Sequence, residues 1–216
     1  MIDLDFAATG IEIARHSVAP LLLVQLQVTN RMPGLAVEHV NLQAQIRIEA
    51  ARRDYRAGER ERLSGLFGAG DDWSRGLRGF LWTSGSVPVP AFAECCTVEL
   101  PLPCSTDLSI AVTRYFDGVE GGDAPLLLLF GGSVFFRDAA GDLQIAQIAH
   151  HKEADYRLPV RLWRELMDRY YPDTVLLRLG RPLFEELKRY ERRHGLATPE
   201  DALQRLLAAP AAEARP

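Results

Sequence analysis

The groups able to act as nucleophile, metal ligand or proton shuttle near neutral pH are few: three cysteines and five histidines in 216 residues. Cys104 stands in Leu102-Pro103-Cys104-Ser105-Thr106-Asp107, a turn between two predicted strands. A thiol attacks as its thiolate, which needs a neighbouring base or cation. The ionisable neighbour here is Asp107, whose charge works the other way. Cys104 and Asp107 form the candidate catalytic pair; the simpler reading is a small buried side chain with Asp107 capping the turn through backbone amides. Cys95 and Cys96 are adjacent, so in a strand they point to opposite faces and cannot close on one metal as C-x-x-C does. One is expected buried and the other exposed. His150 and His151, with Glu153, are the candidate metal ligands. Neighbouring histidines on extended chain diverge, and neither H-E-x-x-H nor a second half of a zinc pattern accompanies them, so they read as surface histidines at a strand end. His16, His39 and His194 are isolated.

Phosphate and acyl chemistry leave no motif. The Gly-rich segment from Gly118 to Gly122 lacks the lysine-serine end of a Walker loop, and there is no G-x-S-x-G and no dinucleotide fingerprint after a strand. The pairs Glu185-Glu186 and Glu200-Asp201 fall on predicted helices and read as solvated faces. No cofactor is expected. The aromatic residues say more: Trp73, Phe80, Trp82 and Phe92 occupy an irregular middle region, and Trp163, Tyr170 and Tyr171 lie on a predicted helix. Most belong in a core, but an excursion that exposes tryptophan is where a protein partner docks. Trp73, Trp82, Trp163, Tyr170 and Tyr171 are the candidate partner-binding residues.

The elements that must position these groups are mainly strands. Ala124 to Phe136, APLLLLFGGSVFF, is too short to span a membrane and too glycine-broken for a helix, and reads as a central strand buried on both faces. Gly131-Gly132 marks a bulge or a close backbone approach, with pairing resumed at Val134. Alternation predicts strands over Ile2 to Ile13, Pro20 to Asn30 and Val37 to Ala50, the last two joined by a Pro33-Gly34 turn. Phe80 to Thr83 reads as strand, and Val87-Pro88-Val89-Pro90 as an edge or crossover. Thr97 to Leu102 and Leu108 to Phe116 alternate weakly, and Ala140-Gly141-Asp142 is a hairpin turn before a return strand marked by Leu143, Ile145 and Ile148. A short helix is expected within the excursion at 51–79, ended by Gly68 and Gly70. Pro159 opens a helix with Trp163 on its apolar side, Thr174 to Leu179 reads as a last strand, Pro182 opens a helix closed by Gly195, and Thr198-Pro199-Glu200-Asp201 starts another.

The fold class expected is therefore mainly β with an α tail: an antiparallel two-sheet β-sandwich, immunoglobulin-like, with a short inserted helix and two or three C-terminal helices. The sandwich domain is placed at 1–155 and a helical extension packed on it at 156–216. With 47% apolar and 25% charged residues the chain is long enough and apolar enough for a real core. A net charge of -4 gives no footprint for nucleic acid. The amino terminus, MIDLDFAATGIEI, is acidic where a signal peptide is basic, so a cytoplasmic protein without membrane attachment is expected.

The chain resembles an uncharacterised bacterial family, a domain of unknown function, through Arg47-Ile48-Glu49 with Arg53-Asp54-Tyr55, Leu66-Phe67-Gly68, Phe80-Leu81-Trp82-Thr83, Leu100 to Asp107, Pro125 to Phe136, and Tyr156-Arg157-Leu158-Pro159-Val160 through Trp163 to Tyr171-Pro172. Genes of this kind sit near those for [NiFe] hydrogenases, so the resemblance implies an accessory or assembly role. At Ala149-His150-His151 the chain departs from the family pattern, which weakens the metal reading. The expected function is a non-enzymatic protein-binding or accessory factor. The alternatives are a thiol- or metal-dependent maturation enzyme centred on Cys104 and a structural subunit of a larger complex.

Overall fold

The structure, a computed structural model, describes all residues except 1, 33, 105–109, 175, 176, 178 and 209–216. The chain divides into two compact units, Met1–Thr174 and Val175–Pro216. In chain order the first contains β1 (Leu4–Ile13), β2 (Leu21–Asn30), β3 (Val37–Ile48), α1 (Ala57–Phe67), α2 (Asp72–Gly76), β4 (Phe80–Val89), β5 (Cys95–Pro103), α3 (Ile110–Gly118), β6 (Asp123–Arg137), β7 (Leu143–Gln147), β8 (Glu153–Pro159) and α4 (Val160–Tyr170). The second holds α5 (Arg181–His194) and α6 (Pro199–Ala208).

The strands form two antiparallel sheets, β1-β2-β5 and β4-β3-β6, with β7 and β8 sharing the far edge of β6. Period-two patterning turns Leu22, Val24, Leu26 and Val28 of β2 inward, and Val40, Leu42, Ala44, Ile46 and Ile48 of β3 likewise. The two inner faces meet as a sandwich: Phe6 from one sheet stacks on Phe130 from the other, centroids 4.4 Å apart. One lateral opening is closed by β4 against β5, where a side chain at Gly85 would lie 2.3 Å from the Pro101 carbonyl. The other is closed by β1 against β8, where Lys152 bridges Asp3 at 2.7 Å and Asp5 at 2.8 Å.

The central strand is β6, though it is not buried on both faces. Leu126, Leu128 and Phe130 face the core, while Leu127 and Leu129 are only half-buried. Their cross-strand neighbours are Arg47 and Asp155, and Gln45 and Glu153, so that face is the solvent side. The glycine pair marks a close approach. Pairing with β3 runs through it without a shift, and a Cβ at Gly132 (φ +128°) would lie 1.9 Å from the Asn41 carbonyl oxygen. At this point β6 hands over from β8, paired up to Leu129, to β7, paired from Ser133.

Two further expectations are corrected. Positions 110–118 form α3, not strand: Val112, Tyr115, Phe116 and Val119 are buried at helical spacing, and that period outweighs the weak alternation. The segment around 155/156, taken as a domain boundary, lies inside β8, where Glu153, Asp155 and Arg157 alternate with Ala154, Tyr156 and Leu158. The proline Pro159 ends that strand and caps α4, which belongs to the first unit.

Within the second unit, Gly195 closes α5 in the left-handed conformation (φ 63°), and Thr198 and Asp201 bond reciprocally at the start of α6. Leu187 and Ala202 are buried, whereas Leu183, Phe184, Leu206 and Leu207 are exposed. Of the expected last strand, positions 175, 176 and 178 lie outside the described residues, and Thr174, Leu177 and Leu179 are in neither helix nor strand. No described helix is long and apolar enough to cross a membrane.

Candidate functional site

The excursion between β3 and β4 is fastened to the rest of the first unit by a charge network whose centre, Glu59 with Arg53, is buried. Glu59 is the third residue of α1, where a carboxylate meets unpaired amides and the positive end of the helix dipole. It is 2% exposed. It accepts from the amide of Arg56 at 2.9 Å, the amide of Glu120 at 2.8 Å and Nη2 of Arg53 at 2.7 Å. Arg53 also donates to the carbonyls of Gly121 (2.7 Å) and Asp123 (3.0 Å). Arg62 reaches Gly118 (3.0 Å), and Arg164 on α4 reaches Val119 (2.6 Å) and Glu120 (2.7 Å). Three arginines thus gather the carbonyls of the turn between α3 and β6. Burial pushes the Glu59 carboxyl upward, but the two amides and the Arg53 guanidinium outweigh it and hold it below the usual carboxylate range.

Beneath the network lies an aromatic cluster. Trp73 of α2 meets Tyr55 and Phe67 edge-on, at centroid distances of 5.4 and 5.6 Å. Tyr115 joins Phe67 and Phe80 at 6.4 and 5.8 Å. The Tyr55 hydroxyl donates to the Ala50 carbonyl at 2.9 Å and lies 3.3 Å from that of Tyr115. Burial first, and the Tyr115 hydroxyl second, raise the Tyr55 phenol far above its ordinary value, so it stays a neutral donor. Trp73 is half-buried. It lines a surface hollow of about 710 Å³ together with Arg60, Glu61, Ser64, Gly68 and Asp71, and the Arg60 guanidinium sits 6.0 Å from its ring centroid.

Of the five aromatic residues singled out by sequence, only Trp73 lines this hollow. Trp82 and Trp163 are 5% and 4% exposed and belong to the core. Trp163 stacks on Phe116 with centroids 4.4 Å apart, and Trp82 meets both rings edge-on. Tyr170 is half-buried with its hydroxyl donating to the Ser17 carbonyl at 2.9 Å, and Tyr171, also half-buried, caps α4 through its amide.

Cys104 is 1% exposed, its thiol donates to the Leu102 carbonyl at 3.2 Å, and burial pushes it up to about 12, a backbone contact from Leu22 offsetting only part. Asp107 lies outside the described residues. Cys95 is exposed and Cys96 half-buried, so neither is a core thiol. His150 and His151 are exposed in the turn between β7 and β8. Among the described residues no three His, Cys, Asp or Glu side chains gather as a metal site.

Sequence reasoning passed over Glu59, Arg53, Arg60, Arg62, Glu120 and Arg164, which build the site. The available signal was Glu59 at the third helical position with Arg53 six residues before it; the turn they hold after α3, and Arg164 on its far side, come from much further along the chain.

No curated protein matches the sequence. Among solved structures, 72% of the chain aligns with 71% of a putative late embryogenesis abundant protein at 14% identity and a TM-score of 0.30. The same share aligns with 15% of a β-glucosidase from Kluyveromyces marxianus, at 13% identity and a TM-score of 0.27. It also aligns with 17% of β-glucosidase 3B from Thermotoga neapolitana, at 14% identity and a TM-score of 0.27. The chain therefore spans a minor part of either glucosidase, and similarity at this level carries no functional argument. The match that runs the length of the chain is to a family: over residues 1–215 it fits the family of unknown function DUF6084, and it belongs to that family.

Proposed function

We propose that the protein is a non-enzymatic binding protein, an accessory factor that docks a protein partner at the Trp73 hollow. The observation that carries this reading is a half-buried tryptophan, packed edge-on against Tyr55 and Phe67, beside an exposed arginine. Tryptophan and arginine dominate protein interfaces energetically, and most when the backbone beneath them is already ordered. The Glu59 network supplies that order. The competing reading of Cys104 as a catalytic thiol is disfavoured by its burial and raised thiol. The family resemblance adds a candidate setting, cytoplasmic assembly of a [NiFe] hydrogenase.

Tagged wild type, Arg60→Glu and Trp73→Ala expressed in the source organism test the reading. A stoichiometric partner should copurify with wild type and with an Arg161→Glu control, and should be lost from both hollow variants. A partner retained by both variants would refute it. Undiminished hydrogenase activity in a deletion strain would remove the hydrogenase setting while leaving the binding role standing.

A further inference from the structure

Edge strands of a sheet present unpaired amides and carbonyls and are normally blunted by charge, proline or cover. Three of the outer strands here are managed in that way. β4 carries Pro88 and abuts β5, which carries Pro101 and Pro103. β1 is closed by β8 and by the Lys152 bridges to Asp3 and Asp5. β7 is different. From Leu143 to Ile148 the chain, LQIAQI, has neither charge nor proline. Leu143 and Ile145 are 56% and 63% exposed, among the larger apolar exposures of the first unit.

The direction of its free backbone groups follows from the ladder. The amide of Ile148 donates to the Gly132 carbonyl at 2.9 Å, while Ser133 pairs with Gln147. In an antiparallel pair the bonded residues alternate, so Gln144 and Ala146 direct their N–H and C=O groups at β6. Leu143, Ile145 and Gln147 direct theirs to the open side. That open set is self-complementary. Turned about a two-fold axis at Ile145, it places Ile145 against Ile145 of a second copy and Leu143 against Gln147 of that copy, each as a doubly bonded pair. In the same register the acidic turn that holds Asp138 and Asp142 comes opposite the segment of the second copy that carries His150 and His151. Asp138 is held within its own turn by the Ala140 and Asp142 amides and by Gln144, which leaves the Asp142 carboxylate as the acceptor on the imidazole side.

We propose that β7 is a dimerisation edge: two copies of this chain pair β7 to β7 antiparallel about Ile145 and join their larger sheets into one continuous sheet. The contact is isologous, so it closes at two copies and does not propagate.

Sedimentation equilibrium across micromolar to millimolar protein tests this, with a weight-average mass expected to rise from 24.1 kDa toward twice that value. Ile145→Lys places two ammonium groups face to face and should weaken association by about tenfold or more. Ile145→Pro removes an outward amide while leaving the β6 ladder, which uses Gln144 and Ala146, and should also abolish it. Circular dichroism and the melting temperature establish that each variant is folded. Should either fail to fold, Ile145→Cys in a chain with Cys95 and Cys96 replaced by serine gives an independent readout. It should form a disulfide-linked dimer on mild oxidation where Gln144→Cys does not. A wild type that stays monomeric at millimolar concentration overturns the proposal, as does a dimer that Ile145→Lys leaves intact. An edge that accepts only an extended peptide of another protein, with the chain itself monomeric, overturns it too.

Discussion

Replacing Glu59 with glutamine keeps the shape of the side chain and removes the charge at the centre of the network. Its Oε1 accepts from Arg53 and from the Glu120 amide, and its Oε2 accepts from the Arg56 amide. Either orientation of a glutamine amide therefore sets an NH2 group against a donor. The side chains of Glu59 and Arg53 are 3% and 10% exposed, so the guanidinium is left charged where water scarcely reaches it. Removing one member of such a pair costs about 3–5 kcal/mol. Arg53 keeps two carbonyl acceptors, which puts the expectation at the lower end, about 3 kcal/mol. For a chain of this length that corresponds to a fall in melting temperature of roughly 6–12 °C.

The pH dependence has a defined sign. The folded Glu59 carboxyl titrates below its unfolded value of about 4.3, so its stabilisation is present above that value and lost as pH falls through the folded pKa. Urea unfolding of wild type and Glu59→Gln should show the full gap at pH 7 and a much smaller one near the acid end of the folded range. A gap under about 1 kcal/mol at pH 7, or one that does not narrow on acidification, would refute the reasoning.

Gly132→Ala should destabilise by about 3 kcal/mol, because the methyl meets the Asn41 carbonyl at 1.9 Å and the backbone is at φ +128°, whereas Gly131→Ala, with nothing within 4 Å, should be nearly neutral in the same thermal melts. Thiol labelling followed by mass spectrometry should modify exposed Cys95 first and leave Cys104 unmodified until urea unfolds the chain. Trp163→Ala, which empties the stack on Phe116, should cost about 3–5 kcal/mol in urea unfolding.

The sandwich was legible because its strands alternate. Leu22 to Val28 and Val40 to Ile48 display the two-residue period that one buried face imposes, and the capping residues of α5 and α6 are short-range signals. α3 was misread because Leu108 to Phe116 supports both periods, and tertiary packing of Tyr115 and Phe116 decides between them. β8 escapes sequence reading because its outward residues are all charged and, of its inward ones, Ala154, Tyr156 and Leu158, only the last is a fully buried aliphatic side chain. The site was legible only as far as Trp73. Trp82 and Trp163 are as aromatic as Trp73, and nothing local distinguishes a ring that fills the core from one that stands at its margin. The network around Glu59 joins α1 to segments some sixty residues away or more, a distance over which sequence patterning carries no signal.

Amide hydrogen exchange of the purified complex against the free chain tests the binding claim at its source. Slowed exchange confined to the hollow at residues 60–74, with the β2 and β3 ladders unchanged, is the predicted result. Protection that falls elsewhere, with the Trp73 region exchanging as in the free chain, would contradict it.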